Sequence, residues 1–175
     1  MSVMSPSILI AHSTMTDITI NGWRLFLHPL FLAQYRAMIA AVRHDRANDP
    51  ENYKTRRNAK LLAATMKMAF EEIPADPSHS RFRMGGTLGE GYKHWFRGKY
   101  VAQYRLFFRF SAKDRIIILA WVNDDNTKRA YESPTDAYRV FAKMLKQGHP
   151  PDDWQGLLTE AQAATKALAD GDLGA

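Results

Sequence analysis

Four cations fall at alternating positions of two neighbouring stretches: Arg97 and Lys99 in residues 95–101, and Arg105 and Arg109 in residues 104–110. Both stretches read as β-strands, whose side chains alternate between faces. Trp95, Arg97, Lys99 and Val101 then share one face of the first strand. In the second, Arg105, Phe107 and Arg109 point away from an apolar face made by Tyr104, Leu106, Phe108 and Phe110. Pairing the strands is expected to put all four cations on one open face of a small sheet. Between Arg81 and Lys113 the only acid is Glu90. Cations packed this closely repel one another unless an anion joins them. Phosphodiester chemistry suits such a surface, because Arg offers a planar fork to phosphate oxygens and Lys a compact charge. Together they would stabilise the added negative charge of a pentacoordinate phosphorus. The competing reading is that these are solvated strand residues, or that acids from a C-terminal helix pair with them.

The loop at residues 121–131, WVNDDNTKRAY, is the second candidate. It follows a strand at residues 116–122 that is apolar on both faces. Lys128, Arg129 and Tyr131 are expected to emerge near the open face, and a phenol held between cations has a lowered pKa and can serve as a base. The same Asn, Asp and Thr residues also suit plain turn-making. His94 lies beside the basic cluster. His28 and His149 each precede a proline and read as structural residues. Asp124 and Asp125 are adjacent, a poor arrangement for one ion, and no H-E-x-x-H motif or carboxylate cluster is present. Gly86, Gly89 and Gly91 lack the spacing of a phosphate-binding loop, and a strand follows them, not a helix.

The remaining elements must position these residues. Residues 20–28 alternate as a strand, with Trp23, Leu25 and Leu27 on one face. Pro29 opens a helix to about Arg46. Asp49 and Pro50 are expected to cap and start a second helix that ends near Ile73. These helices form a hairpin able to cover one sheet face. Residues 74–92 are a loop rich in Pro, Gly and Ser. Ser133 and Pro134 open a third helix, with Tyr138, Phe141 and Leu145 on its apolar side and Gly148 as its stop. A last helix covers about residues 152–168. Strands joined by short connections imply an antiparallel meander, hence an α+β fold.

The 175 residues, 46% of them hydrophobic, suit one domain with a sizeable core. The boundaries expected are an extension at 1–19, a globular domain at 20–158 and a helix end with tail at 159–175. Met15 is an alternative start. The absence of cysteine excludes disulfides, zinc ribbons and thiol nucleophiles. No apolar run reaches the roughly 20 residues of a membrane span, and the N-terminus lacks the pattern of a signal peptide. A formal net charge of +6 suits a polyanion or an acidic protein partner, or simple solubility.

Several segments together resemble a known family. NGWRLFLHPLF, DPENYK, AKLLA, the W-F-R-G-K-Y-V segment, QYRLFFRFS, IIILAWVNDDNT, TDAYRVFAKMLK and GHPPDDW are similar to the YhaV-type toxins of bacterial type II toxin–antitoxin modules, within the RelE superfamily. The resemblance runs from Asn21 to about Trp154. It implies a RelE-like α+β fold, with a helix pair on one face of an antiparallel sheet and RNA cleavage on the other. It also implies a metal-independent, cofactor-free cytoplasmic endoribonuclease that cuts mRNA, free or on the ribosome. A PrlF-like antitoxin would hold it inactive; whether the toxin–antitoxin complex also takes operator DNA as a partner is left open by the sequence. The RNA's own 2′-hydroxyl would be the nucleophile. By the same resemblance, Arg97, Lys99, Arg105, Arg129 and Tyr131 are expected in catalysis. His94, Arg109, Lys128 and Asn126 are expected to contact RNA. A non-catalytic nucleic-acid-binding regulator using the same surface is the alternative.

Overall fold

The structure, a computed structural model, describes residues 18–124 and 136–169. Asn126, Lys128, Arg129, Tyr131, Ser133 and Pro134 lie outside these residues, as do the expectations for positions 1–17 and for the tail after 169.

The chain opens with a hairpin where a single strand was expected. Strand β1 (Ile18–Ile20) pairs with β2 (Trp23–Leu27). Asn21 and Gly22 between them have φ of 52° and 79°. A two-residue turn of this hand needs positive φ at both positions, which Asn-Gly supplies with little strain. Helix α1 (Pro29–Asn48) follows. Helix α2 begins at Arg57, runs to Lys67, and continues through a π-helical stretch, Met68–Glu72, into a last turn, Ile73–Ala75. The expected restart at Asp49 and Pro50 is therefore corrected. Asp49 ends α1, its amide donating to the Asp45 carbonyl at 2.8 Å. Its carboxylate accepts from the Asn52 amide at 3.3 Å and meets Arg56 at 3.2 Å, so it builds the connecting turn.

Strands β3 (Phe96–Tyr100), β4 (Tyr104–Ser111) and β5 (Ile116–Val122) form the expected antiparallel meander. The sheet order is β1-β2-β5-β4-β3. β2 lies parallel to β5, which makes the sheet mixed. Helices α3 (Ala137–Lys146) and α4 (Trp154–Ala169) complete the fold. Every residue of the central strand β5 is buried. A bulge offsets its register with β4: Phe107 faces Trp121, but Phe108 faces Leu119. Consequently Ala120 and Trp121 both turn to the same side of the sheet.

One sheet face packs under the α1–α2 hairpin through Leu106, Phe108 and Leu119, as alternation predicts. The other face is not open. Phe107, Trp121 and Ile118 lie beneath Tyr138 and Phe141 of α3 and Leu157 of α4. Phe107 and Phe141 stack at 4.3 Å between ring centroids. The reason is that the apolar stripes of α3 and α4 also need a sheet face, and the hairpin already occupies the first. The described residues thus form three layers, and the β3 end of the second face stays accessible at Lys99.

At that end β3 sits close to the π-helical stretch. A Cβ added at Gly98 would collide with the Met68 sulfur and lie 2.9 Å from its Cγ. Met68 is buried, so moving it aside would disturb the core around it. Gly98→Ala is therefore expected to cost about 1–3 kcal/mol, read as a lower midpoint in thermal unfolding. An unchanged midpoint would mean that Met68 yields freely.

Candidate active site: a basic cleft centred on Tyr138

A cleft of about 390 Å³ opens beside the β3–β4 hairpin, lined by Thr87, Arg97, Lys99, Ala102, Gln103, Arg105 and Tyr138. Strand geometry supplies its cations. Arg97 and Lys99 are two apart on β3, so they share a face. The antiparallel register sets Lys99 opposite Arg105. Like charges placed directly opposite are destabilising by themselves. Among the described residues no carboxylate pairs with Arg97, Lys99 or Arg105. The C-terminal acid at the start of α4, Asp152, goes elsewhere: its carboxylate meets His94 Nε2 at 2.7 Å and accepts from Trp95 Nε1 at 2.8 Å.

What holds the guanidiniums is a phenol and a set of carbonyls. Arg97 Nε donates to Tyr138 Oη at 2.9 Å, and its Nη1 donates to the carbonyls of Arg81 and Arg83. Arg105 Nε donates to the same phenol oxygen at 3.1 Å, and its Nη1 to the Gln103 carbonyl at 2.6 Å. Asn123 braces this corner, accepting from the Arg105 amide at 2.6 Å and donating to the Gln103 carbonyl at 2.9 Å. Tyr138 stands in the first turn of α3 because Asp136 caps that helix, accepting from the Tyr138 amide. Its ring packs edge-on against Phe107, and the Arg105 guanidinium lies over it at 5.6 Å.

Two opposing effects act on this phenol. Burial pushes its pKa up, because the phenolate loses hydration. Hydrogen bonds from Arg97 and Arg105, with the charge they carry, outweigh burial and hold the pKa below the ordinary tyrosine value. Tyr138 can thus share its proton more readily than a free tyrosine, beside cations suited to phosphate oxygens. That combination fits proton transfer at a phosphodiester.

The structure brings together three expected residues, Arg97, Lys99 and Arg105, and corrects their setting. Lys99 is exposed, but Arg105 is only 6% exposed, not an open-face cation. Arg109 is half-buried, not exposed. Its guanidinium donates to the Asp152 carbonyl at 2.6 Å and lies over the Trp95 and Trp154 rings, fastening the start of α4 to the sheet. His94 lies outside the cleft lining. His28 is fully buried, accepting from the Leu30 amide and bonding Glu160, the structural role expected of it.

Sequence reasoning placed Tyr138 in the apolar stripe of its helix and missed its hydroxyl. The available signal was that a buried tyrosine needs a partner for its oxygen. Gln103 was missed because it contributes through its backbone carbonyl, and Asn123 because its side-chain amide meets backbone groups 18 and 20 residues away.

A mixed sheet with a helix hairpin on one face and a cation–phenol cleft at the rim of the other is consistent with a RelE-like α+β fold. A family model described as a toxin with endonuclease activity, of a toxin–antitoxin system, matches residues 25–162. Ribonuclease toxin YhaV of Escherichia coli (strain K12) is 50% identical over 145 residues, spanning 82% of this chain and 94% of that protein. Toxin YhaV of Escherichia coli O6:H1 matches to the same extent. No solved structure matches. The chain belongs to the YhaV family of toxins with endonuclease activity.

Proposed function

We propose that this toxin cuts mRNA without a metal ion, using the cleft around Tyr138, and that a PrlF-type antitoxin silences it in the cytoplasm. The ribosome and operator DNA are the wider setting of this proposal. The observation that carries it is one phenol oxygen held by two guanidiniums, next to an exposed lysine with no carboxylate partner among the described residues. Such a site binds a phosphate in place of the missing counter-ions. Tyr138, as phenolate, takes the proton of a ribose 2′-hydroxyl, whose oxygen attacks the adjacent phosphorus. Arg97 and Arg105 stabilise the charge that builds on the equatorial oxygens. The 5′-oxygen departs with a proton from Lys99 or water, leaving a 2′,3′-cyclic phosphate.

RNA incubated with the purified chain in EDTA tests this reading, with and without ribosomes. Cleavage leaving cyclic phosphate ends is expected. Binding without cleavage under both conditions would instead favour a non-catalytic regulator. Lys99→Ala offers a cleaner dissection, since the side chain is exposed and makes no bond that folding needs. Its expected effect is a loss of activity of about tenfold or more, with unchanged thermal stability. The salt dependence of RNA binding should also weaken by about one charge. Full activity in this variant would remove Lys99 from the site.

A further inference from the structure

The β3–β4 turn has a cleft on each side. Ala102 and Gln103 line the one that holds Tyr138. Their chain neighbours Val101 and Tyr104 join Thr55, Arg57, Lys60 and Leu61 around a second cleft of about 290 Å³. Leu61, Val101 and the Tyr104 ring give it apolar walls. Arg57 and Lys60, both exposed, give it a cationic rim. Arg57 donates to Tyr104 Oη at 2.6 Å, which fixes the guanidinium over the opening. Lys60 has no ion-pair partner among the described residues.

The turn itself carries an unusual residue. Val101 and Ala102 have φ of 44° and 59°. A β-branched residue in the left-handed region is a steric outlier that persists where the surroundings enforce it, often at functional sites. The same chain fills its other turn of this hand with Asn21 and Gly22. Val101 is also the one large hydrophobic residue that is markedly exposed, at 55%, among the described residues. The strain therefore keeps an apolar side chain in solvent at the mouth of the second cleft.

We propose that this second cleft is a nucleotide subsite, holding an unpaired base and its phosphate from the strand whose scissile phosphate lies by Tyr138. This rests on the reading of the Tyr138 cleft as the RNA-cutting site. Consecutive residues of one turn line both clefts, so a single strand leaving Lys99 rounds the hairpin tip and meets the second opening at once. An apolar slot rimmed by cations is the chemistry of single-stranded nucleic acid, where a base face is covered and the backbone charge is met beside it. The cleft is too small for a packed helix, which favours a nucleotide over a protein partner.

Fluorescence anisotropy with 2′-O-methyl RNA, which lacks the attacking hydroxyl, isolates binding from cleavage. Lengthening a short oligonucleotide by a few residues is expected to tighten its binding to the wild-type chain about tenfold. Lys60→Ala and Val101→Asn should each remove most of that gain and leave the short oligonucleotide unaffected. Val101→Asn should also raise the thermal midpoint by a few degrees, since Asn adopts positive φ readily. A length gain that survives in both variants overturns the subsite. So does a gain that survives while either variant escapes neutralisation by a PrlF-type antitoxin, which would make the surface a protein contact. Failure of the wild-type chain to bind the short oligonucleotide is a different result, and refutes the reading on which the subsite rests.

Discussion

Tyr138→Phe is expected to slow RNA cleavage by roughly 10²–10⁴-fold, the range for removing a positioned general base, while RNA binding changes little. The hydroxyl is the common acceptor of Arg97 and Arg105. Its loss leaves Arg105 with the Gln103 carbonyl, so a stability cost of about 1–2 kcal/mol accompanies the change. The pH profile separates the chemical role from the structural one. The folded phenol ionises below the ordinary value of about 10. Cleavage by the wild-type chain should rise with pH and level off once the folded phenol is ionised, before that ordinary value is reached. In the phenylalanine variant that rising limb should vanish. An identical pH slope in both proteins would rule out the phenol as base. The sign for stability follows from the same shift. A depressed acid contributes stability fully present above the unfolded pKa and lost as pH falls through the folded one. The wild-type advantage over the variant should therefore grow between the folded phenol pKa and about 10.

Arg105→Ala should cost both activity and stability, because this guanidinium is buried. Cleavage is expected to fall by about 10²–10³-fold through lost stabilisation of the developing phosphorane charge. Two effects then compete in the fold. Removing Arg105 relieves its repulsion with Lys99, its partner across the ladder, worth about 0.2–1 kcal/mol. It also deletes bonds from a charged donor to Gln103 and Tyr138, worth about 1.5–3 kcal/mol each. The second effect wins, so unfolding in denaturant should shift to lower concentration. Arg105→Lys keeps the charge and loses the fork, and should not restore the rate. With one donor gone from Tyr138, the rising limb of its pH profile should move upward, toward about 10. A fully active Arg105→Ala protein would remove the guanidinium from the chemistry.

Periodicity made the layer under the hairpin legible, because Leu106, Phe108 and the α1 stripe all repeat with the spacing of their own elements. It also identified Arg97, Lys99 and Arg105 as one group, since strand alternation and charge counting need no tertiary information. It failed at the second face. By alternation Arg109 shares the strand face of Arg105, four residues before it, yet α4 arrives over it and turns a cation into a fastening. The Asp49 turn failed for a different reason. An Asp-Pro pair serves a helix start and a connecting turn alike, and the bonds to Asn52 and Arg56 decide for the turn.

By itself, the sequence determined the α+β class, the buried spine of β5, the basic pair on β3 with Arg105 beside it, and the family. Each of these rests on local period, composition or contiguous motif. Only the tertiary structure decided that α3 roofs the sheet and brings Tyr138 between Arg97 and Arg105, residues 41 and 33 positions away along the chain. The position of an apolar stripe says that a helix must bury it, but which sheet face remains free depends on every other helix in the fold. The phenol became a candidate base through that placement, since its pKa is lowered by two guanidiniums that meet it only after packing.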